Sequence, residues 1–295
     1  MNILICGASG FVGRHLTLTL REAGHTVFRG VRNPVQPSDI PINYNSDIAK
    51  ETWLPRLKGV TVVINAVGVL RDSKNTPMAR LHTETPGALF SACAEAGVER
   101  IVHLSALGVD SGIGTPYFKT RLLAEVSLNN LPASTRRLIL RPSLIYGHDG
   151  ASAKLFRILA SLPIHALPSG GNQTLQPVHI NDICEAVKRW IDHPDATNLT
   201  LPAVGAESTT LRGMLDSYRA QTGKKPALHI SVPTPLMQIS ARLGNLIPSS
   251  PLCSDTLTML TAGNTADATQ FAQLLKRAPA SYRDFIDLEA SDANH

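Results

Sequence analysis

The sequence predicts a doubly wound α/β fold, a parallel sheet wrapped by helices, with a smaller lobe after it. Three observations carry this. Short apolar runs suited to strands buried on both faces alternate with amphipathic helical patterns through the first half of the chain. Gly7, Gly10 and Gly13, spaced G-x-x-G-x-x-G, stand between the first apolar run and the first helix. After Arg141-Pro142 prolines become frequent and the alternation loosens.

The elements follow in order. Asn2 to Cys6 is the first strand, and a helix begins at Phe11, with Leu16, Leu20 and Ala23 on its apolar side and Gly24 as its stop. Thr26 to Gly30 is the second strand and Ile42 to Tyr44 a short third. Thr61 to Ala66 is the fourth and Arg100 to Ser105 the fifth. The helix between these two runs from about Met78 to Ala96, ended by Gly97. A helix over 118–128 precedes a sixth strand, Leu138 to Arg141. Pro177 to Ile180 is a short return segment, followed by a helix from Asp182 to Asp192 that opens on a capping-box-like Asp182–Glu185 pair. Helices over 211–221 and 236–246 complete the reading. Residues 1–150 thus form the sheet domain, to which 176–192 returns. Residues 193–295, with 151–175 contributing, form the C-terminal lobe.

Composition narrows the function. Apolar residues make up 43% and charged residues 17% of 295, and no 18-residue apolar run exists to span a membrane. A strand at the very N-terminus leaves no room for a signal peptide, so the sequence reads as cytoplasmic. A net charge of +5 is dispersed and aromatics are only 5%, which argues against nucleic acid and suits an anionic cofactor or membrane surface. Cys6, Cys93, Cys184 and Cys253 form no C-x-x-C pair and the ten histidines no ligand motif, so no metal site is expected.

The glycine loop is the strongest chemical signal. A first glycine permits a turn that side chains forbid, a second lets a pyrophosphate approach the backbone, and a third lets helix and strand pack closely. The helix N-terminus then favours the phosphate charge. A purely structural turn is the plain alternative. The dinucleotide reading assigns Gly7, Ser9, Gly10, Phe11, Val12 and Gly13 to this contact. Arg29 and Arg32 follow the second strand where a carboxylate would select NAD. Two arginines suit the 2′-phosphate of NADP, with NAD as the alternative. Asp47-Ile48 is placed at the adenine, and the small Ala66-Val67-Gly68 leaves room for ribose and diphosphate.

Ser105 ends the fifth strand, Tyr117 opens the next helix, and Arg121 lies one turn on, on the same face. A free tyrosine titrates near 10, roughly, and needs a nearby cation to act as a base near neutrality. His179 and Asp182 lie in the return segment, with a capped helix start as their structural reading. His103 is read as structural, and His82 faces either sheet or cleft.

The loop Gly7 to Gly13, Asn65 to Gly68, Ser105, Tyr117 and Arg141-Pro142-Ser143 resemble an extended or atypical short-chain dehydrogenase/reductase. HLSALGVD (103–110), RPSLIYG (141–147) and QPVHINDI (176–183) are similar to the branch holding the NAD(P)H-binding accessory subunit of respiratory complex I and its bacterial relatives. The resemblance implies a Rossmann fold with a small C-terminal substrate lobe. It also implies a nicotinamide cofactor touched by Tyr117, Arg121 and Pro142, and acid–base chemistry by Tyr117 with Ser105. The family pattern Y-x-x-x-K is here Tyr117 to Arg121, Y-x-x-x-R, and Arg is not a conservative substitute for Lys. The expected function is an NADP-dependent oxidoreductase or epimerase-like enzyme acting on an unknown small substrate. Its rivals are a non-catalytic NAD(P)H-binding redox sensor or respiratory-complex assembly factor, peripheral to the membrane, and an RNA-binding relative, which the dispersed charge disfavours.

Overall fold

The computed structural model describes residues 1–73, 75–247, 250 and 252–292. The first half runs β1 (Asn2–Cys6), α1 (Phe11–Glu22), β2 (Thr26–Val31), β3 (Asp39–Pro41), α2 (Lys50–Trp53), β4 (Val62–Asn65), α3 (Thr85–Glu95), β5 (Arg100–Leu104), α4 (Pro116–Asn129) and β6 (Arg136–Pro142). There follow β7 (Ile145–Tyr146), α5 (Ala151–Ser161), β8 (Ile164–Pro168), β9 (Thr174–Leu175), β10 (Val178–His179), α6 (Ile180–Asp192), β11 (Leu199–Ala203), β12 (Thr209–Thr210), α7 (Leu211–Gln221) and β13 (Leu228–Val232). The chain closes with α8 (Thr234–Asn245), α9 (Ser254–Thr261), α10 (Thr269–Leu275) and α11 (Phe285–Asp292).

Two compact units divide the chain, Met1–Arg141 with Cys184–Leu201, and Pro142–Ile183 with Pro202–His295. In the first, a seven-stranded sheet has the order β11-β6-β5-β4-β1-β2-β3. The pairings from β3 through to β6 are parallel. Leu4, Cys6, Val63, Ile101 and Ile139 of the strands pack against Trp53, Leu89, Phe90, Ala124 and Leu128 of α2, α3 and α4. Each fully buried Val, Leu, Ile or Phe among them contributes about 1.5–3 kcal/mol of transfer free energy. Alternation along β5 turns Arg100 to the opposite side, where its guanidinium donates to the carbonyls of Trp190, Ile191 and His193 at the end of α6. That cation satisfies acceptors the helix leaves unpaired.

The second unit is built on short pairs, β7 with β10 and β8 with β13 in parallel, β9 with β12 antiparallel. Its core gathers Tyr146, Leu167, Met214, Leu215, Tyr218 and Phe285. Buried Arg219 donates to the carbonyls of Ala160, Ser161 and Leu162 and so closes the C-terminus of α5.

Some expectations need correction. The third strand lies at Asp39–Pro41, not over 42–44. Ile42 and Tyr44 are buried core residues within a turn that Asp47 holds by accepting the Asn43 N–H at 2.7 Å. Asp182 is not a cap. The helix already begins at Ile180, and the Asp182 carboxylate accepts from Arg277 Nη2 at 2.6 Å and the Ala280 N–H at 2.8 Å. Residues 142–150 and 176–183 belong by their contacts to the second unit, because β7 pairs with β10. Residues 193–201 belong to the first, where β11 edges the sheet beside β6.

Candidate functional site

Each glycine of the first loop answers a different demand. Gly7 has φ +83°, a left-handed conformation that disfavours any side chain. A Cβ on Gly13 would sit 2.1 Å from the Gly7 carbonyl oxygen, so this glycine is required for α1 to pack on the end of β1. Gly10 is needed for neither reason. Its φ is −75°, and a Cβ there would make one tight contact, 3.2 Å from the Gly7 oxygen, and meet nothing else within 4 Å. Apart from that contact the space over Gly10 is open, as a backbone-hugging diphosphate requires.

The head of α1 suits an anion. Its capping position is Gly10 with no side-chain cap, and no acidic residue lies in the first turn. Helical bonding starts at the Arg14 N–H, which donates to Gly10, so the N–H groups of Phe11, Val12 and Gly13 head the helix without an intrahelical acceptor. Ser9 is exposed beside them and its carbonyl accepts from Arg14 Nη1 at 2.8 Å. The residues present therefore fit the phosphates of a dinucleotide.

At the far end of the loop region the two arginines differ. Arg29 lies 3.5 Å from Asp39, whose carboxylate is held below the usual range by the backbone N–H groups of Val35 and Gln36 and by Arg29 itself. Arg32 is exposed and has no ion-pair partner among the described residues. Asp47 is buried, accepting from Arg56 at 2.6 Å, while Ile48 is exposed. Ala66 and Val67 are half-buried and Gly68 exposed at the end of β4. Pro142 ends β6 as a buried residue of the second unit.

Ser105, Tyr117 and Arg121 come together at the end of β5. The buried Arg121 side chain donates from Nη1 to the Leu104 carbonyl at 2.7 Å, next to Ser105. Its guanidinium carbon lies 5.5 Å from the centre of the Tyr117 ring. It also lies against the backbone of Gly68, where an added Cβ would meet Nη2 at 1.8 Å. The Ser105 hydroxyl is buried with no hydrogen-bond partner among the described residues, an arrangement that calls for a ligand or water. Lys119 is exposed on another face of α4.

The sequence left His82 between sheet and cleft and did not foresee the contacts that Asn65 and Arg141 make. A π-helical turn at Arg80–Glu84 leads into α3 and carries His82 inward. His82 Nε2 accepts the Val69 N–H at 3.0 Å, and Nδ1 pairs with Thr120 Oγ1 at 3.0 Å. Its ring stands edge-on to Tyr117 at 5.7 Å. Burial, then the Arg121 charge, pushes His82 down to about 2 and His103 to about 3, so both imidazoles are neutral. Asn65 ties β4 to its neighbours: Nδ2 lies 3.2 Å from His103 Nδ1, and Oδ1 accepts from Tyr44 and from the Val67 N–H. The turn that carries Ala66 and Val67 is thereby fixed. Arg141 binds Glu125 by two nitrogens and also pairs with Asp110, neutralising a buried carboxylate.

In the second unit His179 is buried, and its Nδ1 accepts the Asn181 N–H at 3.3 Å while its ring lies 5.2 Å from Phe285. The pairing of β8 with β13 sets His165 beside His229, and His229 Nε2 lies 2.8 Å from Asp216 Oδ1. Arg212 stands 3.8 Å from the other oxygen, so a cation already meets that carboxylate.

The chain is similar to known proteins over most of its length. It is 24% identical over 261 residues to the mitochondrial NADH dehydrogenase [ubiquinone] 1 alpha subcomplex subunit 9 of Mus musculus, which covers 84% of this chain and 67% of that protein. It spans between 56% and 67% of the length of the first complex I relatives it matches. Epimerase family protein ML0860 of Mycobacterium leprae is 30% identical over 269 residues, 80% of this chain and 79% of the relative. The fold matches that of the human epimerase family protein SDR39U1 (isoform 2), solved with NADPH. The TM-score is 0.74 at 18% identity, covering 99% of this chain and 100% of that one. The model of the NAD dependent epimerase/dehydratase family matches residues 3–200, and the chain belongs to that family.

Proposed function

We propose that the protein is an NADP-dependent oxidoreductase or epimerase-like enzyme, with the nicotinamide cofactor on the first unit. The open backbone over Gly10 at an uncapped helix head supports the cofactor assignment most directly. Phe11, Val12 and Gly13 would present their N–H groups to the diphosphate. Arg32, whose charge is uncommitted, would meet the 2′-phosphate, with Arg29 behind it. Asp47 and Ile48 would face the adenine end. When bound, the nicotinamide would accept or supply a hydride. Tyr117 is then the group that exchanges a proton with the substrate oxygen, and the Ser105 hydroxyl orients that oxygen. Arg121 supplies fixed positive charge beside both, held by the Leu104 carbonyl. Structures of the same fold solved with NADPH and with NAD support a nicotinamide dinucleotide.

One observation favours a second reading, a non-catalytic NAD(P)H-binding protein that assists a respiratory complex. Arg121 is buried against Gly68 and committed to Leu104, whereas a ribose-binding cation has to reach the cofactor. The relatives named as complex I subunits support the same reading. Steady-state NADPH oxidation over a carbonyl panel, alongside calorimetric titration with NADPH, separates the two. Turnover that falls at least about 100-fold in Tyr117→Phe, with NADPH affinity retained, is the enzyme's signature, by the usual size of acid–base contributions. NADPH binding with no turnover of any carbonyl would establish the binding protein, and no binding of either nucleotide would end both readings.

A further inference from the structure

Helix α8 is attached to the protein by its small residues and turns its large ones outward. Ala241 and Gly244 are its buried positions, and a Cβ on Gly244 would meet the Leu252 carbonyl oxygen at 1.9 Å. Leu236, Ile239, Leu243, Leu246 and Ile247 are 54%, 52%, 60%, 79% and 55% exposed. The i, i+3, i+7 spacing of Leu236, Ile239 and Leu243 puts them on one stripe of the helix, and Leu246 and Ile247 follow directly at its C-terminal end. Directly before α8, the β8–β13 pair repeats the pattern. Leu228 lies opposite Ile164 and Ile230 opposite Ala166 in register, with Leu228, Ile164 and Ile230 exposed at 62%, 48% and 47%. Single exposed leucines are ordinary, but a continuous stripe of this kind marks an interaction surface.

The charges say what covers it. From Ser217 to Ser254 the sequence holds no Asp or Glu, while Lys224, Lys225 and Arg242 are exposed within that span. Arg242 borders the stripe and also lines a polar cavity of about 580 Å³ with Thr234, Gln238, Asn172, Ser254 and Thr258. No carboxylate lines that cavity among the described residues. Apolar side chains flanked by cations, beside a hydroxyl-rich and amide-rich recess, are complementary to acyl chains beneath anionic headgroups. We propose that α8 and the β8–β13 pair form a peripheral docking surface for an anionic phospholipid bilayer. Leu236, Ile239, Leu243 and Ile247 enter the acyl boundary, and Arg242 with the cavity receives a headgroup phosphate. The proposal rests on the second unit alone and stands whether or not Tyr117 catalyses a reaction.

The test is co-sedimentation of the full chain with vesicles of phosphatidylcholine alone or with about a third phosphatidylglycerol. Binding is expected to the mixed vesicles and at least about tenfold weaker to phosphatidylcholine, with a further fall in high salt. Ile239→Asp with Leu243→Asp changes two exposed positions and should leave the melting profile unchanged while weakening vesicle binding at least about tenfold. Arg242→Glu should weaken binding to the anionic vesicles only, and it keeps the test informative should the double variant misfold. Absence of binding to the mixed vesicles, or binding undiminished in these variants, overturns the proposal. So does a dimer in sedimentation velocity that Leu243→Asp converts to monomer, since a second copy would then cover the face.

Discussion

Acid should destabilise the first unit well above the carboxylate range, because two of its histidines must stay neutral to be buried. His82 and His103 titrate at about 2 and about 3 in the folded protein, the first cause being burial and the second the Arg121 charge. In the unfolded chain both should titrate near 6.5, roughly the free value. Between these limits the unfolded state binds the protons and the folded state does not, so stability is fully present above pH 6.5, roughly, and falls as pH drops. At about 1.36 kcal/mol per pH unit per group, lowering the pH to about 5 costs about 2 kcal/mol per histidine and about 4 for the pair. At that pH the cost is set by the unfolded value, so it is insensitive to how far below the folded values lie. That is a large share of a typical domain stability of about 5–15 kcal/mol. Urea unfolding followed by circular dichroism from pH 7.5 to 5 measures it. His103→Asn should be less stable at neutrality but should show a slope shallower by about 1.4 kcal/mol per pH unit below pH 6.5. Differencing variant against wild type removes the exposed histidines. A wild-type protein equally stable at pH 7.5 and 5, or His103→Asn with an unchanged slope, would refute the reasoning.

Gly13→Ala should lower stability by about 2–4 kcal/mol in thermal melts, since its Cβ would lie 2.1 Å from the Gly7 oxygen and backbone must move. Gly10→Val, by contrast, should keep the melting temperature within a few degrees and lose NADPH binding in calorimetry. Arg32→Ala should weaken NADPH at least about tenfold and NADH little, as a charge-assisted contact to phosphate would, while Arg29→Ala alone should do less because Asp39 already offsets that charge. Arg141→Ala should cost about 3–5 kcal/mol in urea unfolding, since it leaves Glu125 buried and unpaired.

What could be read in the chain was what local spacing determines. The strand–glycine–helix start, the i+4 relation of Tyr117 to Arg121 and the helix at Leu211–Gln221, capped by Thr210 on the Gly213 N–H, all depend on residues a few positions apart. The parts that escaped depend on register between distant strands. Asn65 meets His103 because β4 and β5 pair at that position, and His229 meets His165 because β13 pairs with β8. Ile42 and Tyr44 alternate as a strand does, but their burial in a turn produces the same pattern. His82 was ambiguous for a related reason. Ordinary helical periodicity gives no sign of a π-turn, which forms here where Val69 and Thr120 both find the imidazole.

The Arg121 position joins these observations. A guanidinium with several donors in a rigid fork can be anchored at one nitrogen and still present charge through the others, which a lysine ammonium does less well. Here Nη1 is anchored on Leu104, Nη2 lies against Gly68, and Nε is buried without a partner among the described residues. The small residue at 68 is therefore explained by the arginine as much as by a cofactor, since any Cβ there would collide with Nη2. Burial keeps His82 and His103 neutral and the same charge adds to it, and a neutral His82 can accept the Val69 N–H that shapes the loop after β4. Exchanging Arg121 for lysine would thus alter more than a ribose contact. It would release the Leu104 carbonyl, open a void over Gly68 and loosen the electrostatic constraint on the loop after β4. The departure from the family's Y-x-x-x-K pattern is built into the surrounding packing.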